Sequence, residues 1–182
     1  MSTLKFSRFA LGWCLGFVCL APLHSQAQQR LGLGQNLSTE TLKGWDIDID
    51  AYGNGLPAGQ GNATQGAVIY AEKCQACHGE KGVGGPANKL AGGAGSLNST
   101  TPLKSIGSFW PYATTLFDYI RRAMPLTAPQ SLNADQVYSL SAYLLYLNGI
   151  VNTTYTVDAQ TLPAIKMPNL QGFKPVVDSL PE

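Results

Sequence analysis

Histidine and cysteine are nearly absent from this chain: its 182 residues include two His and four Cys. His24, Cys14 and Cys19 lie near the start, so beyond residue 27 only Cys74, Cys77 and His78 are left of these types. Three such residues cannot supply the four ligands of a structural zinc site, although carboxylates could complete one. Without another histidine, bis-histidine ligation of a metal by this stretch of chain is excluded, and without a third cysteine so is an added thiolate ligand. Charge is also scarce, at 13% of residues with a formal net charge of +1. That balance leaves no basic or acidic surface suited to nucleic acid or to a bulk anionic partner. The longest apolar run, Phe9 to Ala21, is too short for a comfortable membrane span.

What is present begins with an address. Lys5 and Arg8 make a short basic start, the apolar run follows, and Ser25-Gln26-Ala27 places small residues where a signal peptidase needs them. We expect residues 1–27 to be a signal peptide cleaved after Ala27, which implies export to the periplasm. An uncleaved anchor conflicts with the early break at Pro22, and a lipoprotein site at Cys19 conflicts with bulky Val18 before it. After cleavage no membrane-spanning segment is expected.

The chemistry concentrates in KCQACHG, Lys73 to Gly79. Two cysteines separated by two residues can be a redox dithiol, half a zinc site or a haem attachment point. A thioredoxin-like dithiol needs a βαβ setting, and the flanks here read as helix and glycine-rich loop. CxxC followed at once by His is not usual zinc-ligand spacing. The haem reading uses all three residues: Cys74 and Cys77 as thioethers to the vinyl groups, His78 as an axial iron ligand. One such motif predicts one haem c. For the sixth ligand, Met124 and Met167 remain besides Met1, and a soft thioether favours ferrous iron. Met124, in YIRRAMP, sits where Pro125 ends a predicted helix; its separation from His78 is 46 residues (124 − 78), enough to wrap a haem edge. Met167, in IKMPN, is the alternative, and gap-filling in an apolar core is open to either methionine.

The pattern around this motif predicts an all-α fold, a small helical domain wrapped around one covalent haem. Residues 66–76 read as a helix carrying the cysteines. Residues 79–96 form a loop whose glycines let backbone approach a flat cofactor. Pro86 is the candidate to position a loop carbonyl for the free N–H of His78. Residues 112–123 read as a second helix after Pro111, ended by Arg121 and Arg122. Residues 133–149 read as a third, with Asn133 and Gln136 as its cap and Gly149 as its stop. Val137, Leu140, Leu144 and Leu147 recur at helical spacing, and this helix is expected to pack on the first.

CxxCHG after a helix, a later RRAMP and then SLNADQVYSLSAYLLYLN resemble the class I c-type cytochromes. GWDIDIDAYGNGLPAG, YAEKCQACHG, LAGG, SFWPYATTLFDYIRRAMP and IKMPN together resemble the cytochrome subunit of periplasmic sulfite and sulfur dehydrogenases of the Sox type, over roughly residues 43–170. The resemblance implies a class I cytochrome c fold and an electron-accepting role beside a molybdenum-cofactor subunit that oxidises sulfite or sulfur. A downstream soluble cytochrome or an oxidase would follow. Many Sox-type subunits carry a second haem domain; this sequence shows one. The implied organisation is signal peptide 1–27, N-terminal arm 28–62, cytochrome c domain 63–150 and C-terminal extension 151–182.

Other features have plainer readings. WDIDID imitates the opening of a calcium loop, but Ala51 and Pro57 stand where that loop needs Gly and Glu. Trp45, Ile47 and Ile49 are instead expected to anchor the arm, with the acids facing water or a partner. Trp110 and Tyr112 can contact a haem propionate or pack in the core. Arg121 and Arg122 can pair with propionates or a partner's acids, or end their helix in solvent. The extension after Ile150 has no helical period and is expected to wrap over the domain or meet a partner. No catalytic residue is expected, and the chain is not expected to oxidise sulfite alone. The alternatives are a cytochrome subunit of another periplasmic dehydrogenase, one oxidising alcohols for example, or a haem enzyme such as a peroxidase. The latter would need a distal acid-base group, and no free His remains for it.

The Met124→Leu substitution is expected to abolish the thioether-to-iron charge-transfer band in the visible spectrum of the ferric protein. Retention of the band would move the ligand to Met167.

Overall fold

The computed structural model describes residues 34–174, so the signal peptide expected over residues 1–27 lies outside the described residues, as does the end of the extension. Helix α1, Thr39–Lys43, opens the arm. A two-residue strand β1, Gln60–Gly61, leads into helix α2, Ala63–Lys73, and a single turn α3, Gln75–His78, follows. Another single turn, α4, Ile106–Phe109, precedes helix α5, Ala113–Ala123, and helix α6, Ala134–Leu147. Strand β2, Val157–Asp158, closes the order by pairing antiparallel with β1, Gln60 opposite Asp158 and Gly61 opposite Val157. The fold is all-α apart from that short ribbon. Among the described residues no helix is long and apolar enough to cross a membrane.

The caps show why the helices start where they do. Asn133 accepts from the Gln136 N–H at 2.9 Å while the Gln136 side chain accepts from the Asn133 N–H at 3.0 Å, a reciprocal box that satisfies two orphan donors. Asn62 and Gln65 repeat this arrangement at 3.0 and 3.1 Å, so α2 begins at Ala63, earlier than the helix expected from residue 66. That expected helix also divides. Cys74 leaves helical geometry at φ −124° and separates α2 from α3.

The core lies where α2 and α6 cross. Gly66 has no side chain to keep them apart: a Cβ there would overlap the carbonyl of Ser139, and one at Gly61 would come within 2.5 Å of the Ser139 nitrogen. Tyr70 packs on Tyr143 across the crossing, ring centroids 5.2 Å apart. Helix α5 turns Leu116, Phe117 and Ile120 into the same core, with Phe117 stacked on Tyr138 at 4.4 Å.

The N-terminal arm corrects one expectation. Ile47 is buried and Ile49 packs on the core, but Trp45 is 79% exposed and lies outside the core of the described residues. The arm is held instead by an ion pair, Arg122 Nη2 to Asp48 at 2.8 Å, with Asp118 at 2.7 Å on the same guanidinium nitrogen. Arg122 is therefore a paired group rather than a solvated helix end. Asp50 closes a tight turn by accepting from the side chain of Asn54 at 2.7 Å and from the Tyr52 and Asn54 N–H groups. Those bonds, the Asn54 side chain first, hold its carboxyl below the usual range.

The extension is part of the core rather than a wrapping over it. Val157, Leu162 and Met167 are all buried in the main cluster, although their spacing has no period. Asn169 ties the segment down by donating to the Phe109 carbonyl at 2.6 Å. Truncation at this site has a cavity cost. Leu162→Ala is expected to lower stability by about 2–5 kcal/mol, read from chemical denaturation. An unchanged midpoint would show the extension to be a loose covering.

Candidate functional site

Helix α2 delivers the CxxCH motif at its C-terminal end. The Cys74 N–H still donates to the Tyr70 carbonyl at 2.9 Å, and the Cys74 carbonyl then accepts from Cys77 at 3.2 Å and His78 at 3.0 Å. This one tight turn carries both sulfurs and the imidazole. Cys74 and Cys77 are unbridged thiols, the first half-buried and the second exposed. Burial, then the neighbouring Cys77, pushes the Cys74 thiol up to about 11. A redox dithiol needs the reverse, a lowered pKa that supplies thiolate. Among the described residues no group of three His, Cys, Asp or Glu is placed to hold a metal ion, which leaves the zinc reading unsupported.

His78 is half-buried at the end of α3, and its Nδ1 lies 2.9 Å from the carbonyl oxygen of Asn88. A carbonyl can only accept, so Nδ1 carries the proton and Nε2 keeps its lone pair for a metal. Sequence reasoning looked for this carbonyl near Pro86; it belongs to Asn88, two residues on. The loop is folded tightly onto the motif. Ala87 N–H donates to the Cys77 carbonyl at 2.9 Å, and Leu90 N–H to the Gly82 carbonyl at 2.8 Å. Gly79, at φ +78°, and Gly85 permit this approach, since a Cβ on Gly85 would overlap the Cys77 carbonyl.

Below the motif stands Tyr70, 1% exposed, whose hydroxyl donates to the Gly79 carbonyl at 2.9 Å. Tyr70 stands four residues before Cys74, one helical turn, and that spacing is the signal in the sequence for this contact. Burial first, then the Cys74 sulfur, pushes the Tyr70 phenol up to about 12.

The two methionines differ. Met167 is 3% exposed inside the core, as a gap-filling side chain would be. Met124 is half-buried at the edge of that core, just past α5, where its N–H donates to the Ile120 carbonyl at 3.1 Å. Cys74 packs against the same cluster. Trp110 is half-buried, edge-on to Tyr119 with centroids 5.6 Å apart, and Tyr112 is 39% exposed at the cap of α5. The donor set therefore fits haem c: two unbridged thiols on one turn, an imidazole with its second nitrogen oriented, and a thioether at the core edge.

Residues 61–144 match the family described as cytochrome c oxidase, cbb3-type, subunit III. No curated protein matches the chain. The crystal structure of the sulfane dehydrogenase SoxCD from Paracoccus pantotrophus contains a chain that is 38% identical, with a TM-score of 0.75, over 80% of this chain and 72% of that one.

The Tyr70 hydroxyl has a pH signature. The folded protein keeps this proton between the ordinary value of 10.0 and about 12, while the unfolded chain releases it. Its contribution is complete below pH 10 and lost as pH rises through that window. Tyr70→Phe is expected to cost about 1 kcal/mol at neutral pH and to make the alkaline decline of stability shallower. Denaturation curves across a pH series measure both, and an unaltered alkaline slope would contradict the assignment.

Proposed function

This chain belongs to the c-type cytochromes, and we propose that it accepts electrons one at a time from a molybdenum-cofactor subunit that oxidises sulfite or sulfur in the periplasm. The observation carrying the cytochrome site is the CxxCH turn whose imidazole gives its Nδ1 proton to the Asn88 carbonyl at 2.9 Å. The sulfur-oxidising partner is suggested by the likeness to the Paracoccus sulfane dehydrogenase, and export by the basic and apolar start of the sequence.

Haem c, when bound, supplies a one-electron couple. In this reading Cys74 and Cys77 hold one such group by thioether bonds, so it cannot be lost when the iron changes charge. His78 would ligate the iron through Nε2, oriented by Asn88 and made more basic by that hydrogen bond. Met124 would supply a thioether, a soft donor that favours the reduced state. Tyr70 and the glycine loop keep the turn in place and restrict water. Trp110 and Tyr112 are available to the propionates, with Trp110 held by Tyr119.

The test is gentle purification of the tagged protein from its native host, with molybdenum and haem quantified together. Near-stoichiometric molybdenum, and reduction of the haem on adding sulfite, is the expected result. A molybdenum-free preparation that sulfite does not reduce would remove the proposed partner and leave a c-type cytochrome serving another dehydrogenase.

A further inference from the structure

The carbonyl that accepts from the His78 Nδ1–H lies in a loop held on the motif by two backbone bonds, Ala87 N–H to Cys77 and Leu90 N–H to Gly82. Between Val83 and Leu90 that loop carries two adjacent glycines, and two more follow at residues 92 and 93. A side-chain fixture is added from 56 residues further along the chain. Asn148 caps the C-terminus of α6, and its amide is used at both ends. The Nδ2 group donates to the Leu90 carbonyl at 3.1 Å and to the Leu144 carbonyl of its own helix at 2.8 Å. The Oδ1 atom accepts from the Gly92 N–H at 3.2 Å. Gly107 makes room for this amide, since a Cβ there would meet the Asn148 side chain at 2.5 Å.

Asn148 thus attaches the loop to the most deeply buried helix at positions two and four residues beyond Asn88. An asparagine at a helix end is ordinarily satisfied by its own last carbonyls. Here the same side chain reaches another segment with one donor and one acceptor, which fixes both position and orientation. The Leu90 N–H to Gly82 bond at 2.8 Å then carries that fixture back towards the CxxCH turn.

We propose that Asn148 is a positioning residue for the iron ligand, holding the Asn88 carbonyl against His78 and thereby setting the reduction potential of the haem. The proposal rests on the reading of His78 as ligand. A carbonyl accepting from Nδ1 raises the electron density at Nε2 and stabilises ferric iron. When the loop is released, that bond lengthens or passes to water, the ligand becomes a weaker donor, and the potential rises.

The experiment compares the haem-loaded protein with Asn148→Leu and with Asn148→Ala, two neutral replacements that each remove all three bonds. Leu162→Ala, a core truncation in the extension, is the control. Midpoint potential is measured by redox titration, and the His78 Nδ1–H by its hyperfine-shifted proton resonance and exchange rate. Both Asn148 variants are expected to raise the reduced-to-oxidised ratio at fixed solution potential about threefold, ~28 mV at 59 mV per tenfold, and to speed exchange of the Nδ1 proton. Leu162→Ala is expected to lower stability and leave both readings alone. If Asn148→Leu does not accumulate, Asn148→Ala carries the test.

Variants that lose stability but keep the wild-type potential and exchange rate would overturn the proposal, because Asn148 would then be a structural cap only. A wild-type protein with no haem-shifted Nδ1–H from His78 would overturn the ligand reading and the proposal with it. A wild-type protein that shows that proton, with variants that leave the potential unmoved, overturns the proposal alone.

Discussion

The crossing of α2 and α6 at Gly66 is the contact on which the rest depends. The absence of a side chain there lets the backbone of one helix rest on the Ser139 carbonyl of the other. That approach brings Tyr70 onto Tyr143 and places the end of α2, with its cysteines, at a fixed height against the core. It also sets where α6 ends. Because Asn148 stands at that end and bonds to Leu90 and Gly92, one crossing determines both the CxxCH turn and the loop that faces it.

This arrangement suits a site that exchanges electrons without chemistry on a substrate. The imidazole proton is given to a carbonyl rather than to a titratable group, so its partner cannot change charge near neutral pH. The tyrosine beneath the motif is buried and stays protonated well into the alkaline range. Rigid neutral partners leave little to reorganise when the iron gains or loses an electron. Arg122, paired with Asp118 and Asp48, ties the arm to α5.

Much of this was legible in the sequence because scarcity narrows choices. With one histidine and two cysteines after residue 27, the motif had one economical reading, and the cap at Asn133 and Gln136 placed the start of α6 to the residue. The matching cap at Asn62 and Gln65 went unread because the apolar run behind it begins only at Gly66. Burial of Val157, Leu162 and Met167 left no trace, since an irregular segment in a core has no period to reveal it. Trp45 shows the converse: an aromatic residue beside the buried Ile47 and half-buried Ile49 still faces outward. Asn88 could not be chosen from its neighbours, because which carbonyl of a glycine-rich loop meets an imidazole depends on the folded path. Asn148 was hidden for the same reason.

The central claim is a single haem held covalently by Cys74 and Cys77, and its most direct test is the mass of the purified mature protein after extraction with acidified acetone. The account predicts a chain that retains the mass of one haem and keeps its colour through extraction. A colourless chain with the mass of polypeptide alone, its haem in the solvent, would contradict it.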